Sequence, residues 1–158
     1  MKHIVSALVE NRPGVLARIT TLFSARGFNI DSLAVAETED TTVSRMTIVV
    51  DGNEKILEQV EKQLNKLIDV IKVQEFSSVE HIERDLTLIK IKANKSNRSE
   101  ILQITDIFRA KIIDVSSESI IAEITGDEEK IKAFINMVKP FGIKELVRTG
   151  VIAITRGK

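Results

Sequence analysis

The sequence predicts an α+β protein made of two domains in tandem, each with the element order β-α-β-β-α-β. Between residues 4 and 76, short apolar and partly β-branched runs alternate in this order with runs whose apolar residues recur at helical spacing. The order begins again at residue 86. Within this second half, "GDEEKIKAFINMVK" matches "DGNEKILEQVEKQL" of the first half. This is the ferredoxin-like pattern, with antiparallel sheets and helices on one face. We therefore place the domains at residues 1–77 and 78–158.

The elements of the first half follow from apolar spacing and from turn residues. Val15 and Ile19 fall on one face of a helix over residues 14–27. Pro13 is tolerated at the first turn of this helix, and Gly27 is typical of its end. The predicted elements are strands 4–9, 29–37, 44–50 and 70–76, helix 14–27, and a second helix between the turn at 51–53 and Leu67.

The second half repeats this order after a polar connector at residues 77–85. Its predicted elements are strands 86–93, 111–117, 119–126 and 143–148 and helices 99–110 and 127–142. The tail at 150–157 is a candidate additional strand. Each half has about the size at which one small core is marginal, so we expect packing against the other half or against a second chain.

Composition restricts the class of function. Lys and Arg total 23, Asp and Glu total 23, and Cys is absent. Zero net charge gives no electrostatic reason to expect nucleic acid or an anionic membrane as partner. The lack of Cys excludes disulfides, thiol nucleophiles and Cys-ligated metals. No apolar run reaches membrane-spanning length, and the N-terminus lacks a signal-peptide pattern, so we expect a soluble cytoplasmic protein.

The junction "ENRPGVL" between the first strand and helix is the candidate site. A helix N-terminus offers unpaired N–H groups and partial positive charge, which suit a carboxylate. Gly14 lets a ligand approach the backbone, and the amide of Asn11 can both donate and accept. A second copy of the chain could bring Asn29 to face Asn11 across an interface. The second half has "NKSNRSE" at this place, so only the first half has the junction. A loop-to-helix turn without a ligand explains the same residues.

Three other classes of function are weighed against a ligand-binding module. Independent catalysis lacks support, because His3 and His81 stand apart and no phosphate loop or metal-ligand spacing occurs. RNA-recognition domains share the element order but stack bases on strand aromatics. Here Tyr and Trp are absent, and the six Phe fall on helices, near turns or at a strand end. A scaffold dimer without a ligand would share the fold and would bind no amino acid.

Several segments, taken in their order along the chain, resemble one known family. "LVENRPGVLARITTLFSARGFNIDSLAV" is similar to the amino-acid-binding ACT domain. More narrowly, "LFSARGFNIDSLAVAETED", "SRMTIVVDG" and "EQVEKQLNKLIDVIKV" resemble the regulatory small subunit of acetohydroxyacid synthase, also called acetolactate synthase. "FRAKIIDVSSES" and "RTGVIAITRG" resemble the second domain of that family. The resemblance covers nearly the whole chain.

The resemblance implies a non-catalytic subunit that activates a separate catalytic large subunit and mediates feedback inhibition by a branched-chain amino acid, usually valine. The catalytic subunit is expected to use thiamine diphosphate, Mg²⁺ and FAD, with no cofactor or metal in this chain. The effector is expected between the ACT domains of a homodimer. The expected effector-binding residues are Asn11, Pro13 (through its backbone only), Gly14, Val15, Leu16, Asn29 and Ile30. The nearest alternative is an ACT-type sensor that regulates a different enzyme.

Overall fold

The computed structural model describes residues 1–157, which form two compact units. The first unit comprises Met1–Ile82 and the segment that begins at Val151, and the second comprises Glu83–Gly150. Both have the predicted β-α-β-β-α-β order, so the predicted fold class is confirmed. The tail after residue 150 groups with the first unit, whereas the sequence analysis assigned it to the second domain. The second unit is thus inserted near the C-terminal end of the first.

The described residues form nine strands and four α-helices. The first unit contains β1 (Lys2–Glu10), α1 (Val15–Ala25), β2 (Asn29–Glu37), β3 (Val43–Asp51), α2 (Glu54–Asn65), β4 (Val70–Glu75) and β9 (Ile152–Thr155). The chain then passes into the second unit within β5 (His81–Lys92). The second unit continues with α3 (Arg98–Ile107), β6 (Lys111–Val115), β7 (Ser119–Gly126), α4 (Glu128–Val138), a 3₁₀ turn (Lys139–Phe141) and β8 (Ile143–Arg148).

In the first unit the strands lie in the order β2-β3-β1-β4, and all neighbours are antiparallel. Side chains of a strand alternate between its two faces, so one face of β1 and β3 packs against α1 and α2. This buried core is formed by Val5, Ala7, Val9, Val15, Ile19, Phe23, Met46, Ile48, Val50, Val60 and Leu64. The second unit has the equivalent order β6-β7-β5-β8 and its own core, which centres on Ile89, Ile101, Ile120 and Phe134.

Two helices begin at a capping side chain. Asn53 accepts a hydrogen bond from the Ile56 amide at 3.0 Å, and Asp127 accepts one from the Lys130 amide at 2.9 Å. Such caps satisfy backbone donors that have no partner inside the helix. The helix predicted over residues 127–142 ends earlier, at Val138, and continues as the 3₁₀ turn that contains Pro140, which has no N–H to donate.

Strand β5 begins inside the segment that the sequence predicted as a polar connector. It starts at His81, five residues before the predicted start, because β9 pairs with β5. The amide of Arg156 also donates to the Glu80 carbonyl at 2.9 Å. A pairing between residues so far apart in sequence leaves no periodic signal in the connector itself.

The sheet face opposite α1 and α2 in the first unit contains several buried side chains. Ser6, Thr47 and Phe76 lie on this face, and each is at most 2% exposed. In the tail, Val151 and Ala153 are buried, and the amide of Val151 donates to Ser32 Oγ at 3.2 Å. The tail of the chain therefore packs against the first unit.

Candidate functional site

The loop between β1 and α1 is fixed to the β2–β3 hairpin through Asn11. Its backbone amide donates to the Thr42 carbonyl at 2.8 Å, and its side-chain Nδ2 donates to the Thr41 carbonyl at 2.9 Å. Because Nδ2 is held by the backbone, the orientation of the amide is set and its Oδ1 is the acceptor that remains. Asn11 therefore presents an oxygen at a fixed place beside the start of α1.

Gly14 precedes α1 in a conformation that favours glycine. Its φ is +88° and its ψ is −11°, in the left-handed region. A Cβ at this position would lie 3.2 Å from Nη1 of Arg18. The left-handed backbone explains why the sequence has glycine here, since a side chain at this φ is strained.

The N-terminus of α1 differs from those of the other described α-helices in its electrostatics. No side chain caps it, and its first turn has no acidic residue. By contrast, α2, α3 and α4 have Glu54, Glu100 and the pair Glu128 and Glu129 in their first turns. The partial positive charge of the α1 N-terminus is thus not compensated from within its own helix.

A wide cavity opens beside this loop. It has a volume of about 500 Å³ and is lined by Glu10, Asn11, Arg12, Thr41, Thr42, Val43 and Ile71. The loop therefore borders an open space with both polar and apolar walls, as a small zwitterionic ligand requires.

A cluster of charges also holds the loop in place. Asp69 accepts from Arg12 Nη2 and from Arg18 Nε, each at 2.8 Å, and Arg12 also contacts Glu10. The Asp69 carbonyl accepts from the Glu10 amide at 2.9 Å. The hydrogen bond from Arg18, together with that from Arg12, lowers the pKa of Asp69 although burial opposes the shift. Asp69 thus ties together residues on both sides of the loop.

Within one chain, the predicted effector residues fall into two separate groups. Asn29 lies opposite Asp51, and Asp51 lies opposite Lys2 at the start of β1, whereas Asn11 follows the end of β1. The nine residues of β1 separate these ends by roughly 26 Å, at about 3.3 Å per residue. The side-chain Nδ2 of Asn29 donates to Oδ1 of Asp31 at 2.9 Å. The chain therefore does not bring Asn29 or Ile30 to the loop.

The remaining predicted residues differ in what they can offer a ligand. Val15 is buried in the core, so only its backbone is available, whereas Pro13 and Leu16 are exposed at the loop. The sequence analysis missed the contribution of Arg18 and of Asp69. Arg18 carried no distinguishing signal within the helix. Asp69 lies 51 residues further along the chain, so no local pattern connects the two.

Residues 1–157 contain neither a metal-binding cluster of side chains nor a helix suited to span a membrane. No group of three or more His, Cys, Asp or Glu side chains there could hold a metal ion. Of the helices in this part of the chain, none is both long enough and apolar enough to cross a membrane.

Comparison with known proteins identifies both units. A family model of the AHAS small subunit-like ACT domain matches residues 5–72, and a model of the small subunit of acetolactate synthase matches residues 84–157. The first unit is therefore an ACT domain.

Full-length relatives agree with both matches. A probable acetolactate synthase small subunit of Archaeoglobus fulgidus is 56% identical over 157 residues, which cover 99% of this chain and 98% of the relative. The acetolactate synthase small subunit of Mycobacterium leprae is 53% identical and covers 98% of this chain and 92% of its own. The crystal structure of the small subunit from Thermotoga maritima aligns with a TM-score of 0.91 at 44% identity, over 100% of this chain and 99% of that one. This chain belongs to the family of acetolactate synthase small subunits.

Proposed function

We propose that this chain is a non-catalytic regulatory subunit that binds a branched-chain amino acid, valine first, at the loop between β1 and α1. Binding inhibits the catalytic subunit, which the chain otherwise activates. The observation that carries the proposal is the uncapped N-terminus of α1 behind a left-handed Gly14, which follows a loop whose Asn11 lines a wide cavity. In this proposal the carboxylate of the effector binds at this helix N-terminus.

The chemistry of an amino acid fits this loop. Its carboxylate accepts hydrogen bonds from the backbone amides at the start of α1, where the helix dipole favours negative charge. Its ammonium donates to Oδ1 of Asn11, and its apolar side chain has Val43 and Ile71 as neighbours in the cavity. Affinity of roughly −4 to −8 kcal/mol, or about millimolar to micromolar, suits so small a ligand.

The strand order supports a site shared by two chains. β2 is an edge strand, and Leu33 is the middle of its nine residues. If two β2 strands pair antiparallel about a two-fold axis at Leu33, Asn29 of one chain lies opposite Glu37 of the other. Glu37 pairs with Ser44, at the same end of the sheet as Asn11. A homodimer of this kind brings together the two groups that one chain keeps apart.

The partner in this proposal is the catalytic large subunit of acetolactate synthase. Thiamine diphosphate, Mg²⁺ and FAD belong to that subunit, and this chain supplies regulation alone. The purified chain is expected to form no acetolactate, and its addition is expected to raise the rate of the catalytic subunit.

Calorimetric titration of the chain with valine, leucine and isoleucine tests the proposal, followed by assays of the catalytic subunit with and without the chain. We expect at least one of the three amino acids to bind the chain with measurable heat. We also expect the chain to raise the rate of the catalytic subunit, and the amino acid to inhibit that subunit only when the chain is present. No binding of any of them, or an unchanged rate across all ratios of the two subunits, would contradict it.

A further inference from the structure

The first unit has a second cavity on the sheet face opposite α1 and α2. Its volume is about 130 Å³. Its floor contains Ser6 and Phe76, which are 1% and 2% exposed, and the tail borders it through Ile154 and Thr155. None of its lining residues belongs to the loop between β1 and α1.

Two cations line this cavity from the two strands that flank β1. Arg45 of β3 and Lys72 of β4 are the cross-strand partners of Leu8, so all three side chains lie on the same face. Arg45 donates from Nη1 to Ser6 Oγ at 2.9 Å, which orients its guanidinium across the sheet. The lining residues that the structure describes include no Asp or Glu.

The other walls combine hydrogen-bond donors with apolar surface. The hydroxyl of Thr155 and the amide of Gln74 stand among the lining groups, and Leu8 and Phe76 supply apolar contact. Two cations and the Thr155 hydroxyl, with no Asp or Glu among the lining residues, form an environment for an anion, and Gln74 has one N–H left because its Nε2 already donates to the Glu75 carbonyl at 2.8 Å. The apolar contacts of Leu8 and Phe76 favour an anion that carries a short hydrocarbon part over a fully hydrated inorganic ion.

We propose that this cavity, lined by Ser6, Leu8, Arg45 and Lys72, binds a small monocarboxylate that has no amino group. A cavity of about 150 Å³ accommodates a molecule the size of benzene, so a ligand of about six heavy atoms suits this one. An α-ammonium group is disfavoured because like charges repel beside Arg45 and Lys72. The cavity is thus selective against the free amino acids that the loop at Gly14 is proposed to bind.

The test is a titration of the full chain with butyrate and with 2-aminobutyrate, followed by NMR of backbone amides and methyl groups. Butyrate is expected to shift the signals of Leu8 and Ile154, and 2-aminobutyrate is not. Because charge-assisted hydrogen bonds are lost, the combined variant Arg45→Gln/Lys72→Gln is expected to weaken butyrate binding about tenfold or more.

Matched controls separate this site from general charge and from the effector loop. Lys62→Gln/Lys66→Gln removes two positive charges at α2 and is expected to leave butyrate affinity unchanged. Gly14→Asp is also expected to leave butyrate affinity unchanged, even where it abolishes amino-acid binding. The proposal for this cavity and the proposal for the effector loop can therefore fail independently. Unchanged affinity in the Arg45→Gln/Lys72→Gln variant, or an equal loss in the α2 control, would overturn the inference. Inorganic phosphate that binds as tightly as butyrate would overturn the assignment to carboxylates.

Discussion

Gly14 occupies a backbone conformation that determines which substitutions there are informative. Asp and Asn are of similar size and are similarly strained at φ +88°, at a cost of about 1–2 kcal/mol relative to Gly. Only Asp adds a negative charge at the N-terminus of α1, where the effector carboxylate is proposed to bind. We expect Gly14→Asp to abolish valine binding in calorimetry and to remove feedback inhibition, while activation of the catalytic subunit persists. Gly14→Asn is expected to weaken binding much less.

The second unit provides the control for this experiment. Asn97 stands before α3 as Gly14 stands before α1, and its Oδ1 accepts from the Asn94 amide at 2.8 Å. Asn97→Ala is therefore expected to loosen that turn slightly and to leave valine affinity unchanged. If Gly14→Asp retained wild-type affinity with a normal melting curve, the effector site would lie elsewhere.

Asp69 makes the stability of the loop depend on pH. Its pKa is lowered in the folded chain, chiefly by the hydrogen bond from Arg18. A depressed folded-state pKa adds stability that is fully present above the unfolded value, about 3.9, and is lost as pH falls through the folded value. We expect Asp69→Asn to unfold at lower urea concentration than the wild type at pH 7, and the difference to shrink below about pH 4.

Solvent and salt limit the size of this effect. The side chains of Arg12 and Arg18 are more than half exposed, so the difference is expected to narrow in high salt. Glu39→Gln, at an exposed hairpin position, is the control, and its urea unfolding should not differ from wild type in a way that depends on pH or salt. A difference between Asp69→Asn and wild type that stayed constant to pH 2 would show that the carboxylate charge is not the cause.

At the scale of elements, β9 is a short tail segment with one buried side and one exposed side. Ala153 is buried, and its neighbour Ile152 is 55% exposed, because successive strand residues face opposite sides. Ala153→Asp buries a charge and is expected to destabilise the chain by about 2 kcal/mol or more in urea unfolding. Ile152→Asp, the same change on the exposed side, should stay within about 0.5 kcal/mol. Equal effects of both would mean that the tail does not pack as described.

At the scale of the whole molecule, the proposed homodimer depends on the free edge of β2. Val35 lies on this edge and is 43% exposed. Pairing of two β2 strands about their middle places position 35 against the other chain. We expect Val35→Glu to weaken the dimer, because a charged side chain on an edge strand opposes pairing with another strand. Sedimentation at micromolar concentration measures the change.

The opposite edge of the sheet supplies the matched control. Ile71 of β4 is 56% exposed, so Ile71→Glu makes a similar change on an edge that the proposal leaves unpaired. Because Ile71 also lines the cavity proposed for the effector, the comparison is made without amino acid, and the Ile71→Glu dimer is expected to remain. A wild-type chain that sediments only as a monomer would contradict the proposed dimer. A dimer lost in Ile71→Glu but not in Val35→Glu would place the contact elsewhere.

The sequence by itself determined the two β-α-β-β-α-β units and the loop at Gly14. Elements such as α1 and β3 carry their own periodic apolar signal, because each buries one face against a core formed by nearby segments. Turn residues such as Gly27 and Asn53 mark their ends locally. The motif "ENRPGVL" likewise combines strand end, turn and helix start within seven residues, so their succession could be predicted locally, whereas the start of α1 at Val15 and the left-handed Gly14 before it were not predicted.

Only the tertiary structure decided where the tail packs and what surrounds the loop. The pairing of β9 with β5, the clamp of Asp69 on Arg18, and the cavity between Arg45 and Lys72 all join residues far apart in sequence. A salt bridge or a cavity depends on the positions of side chains from several elements, and no periodicity within one segment encodes them. The separation of Asn29 from Asn11 in one chain has the same origin, since strand register rather than sequence distance sets it.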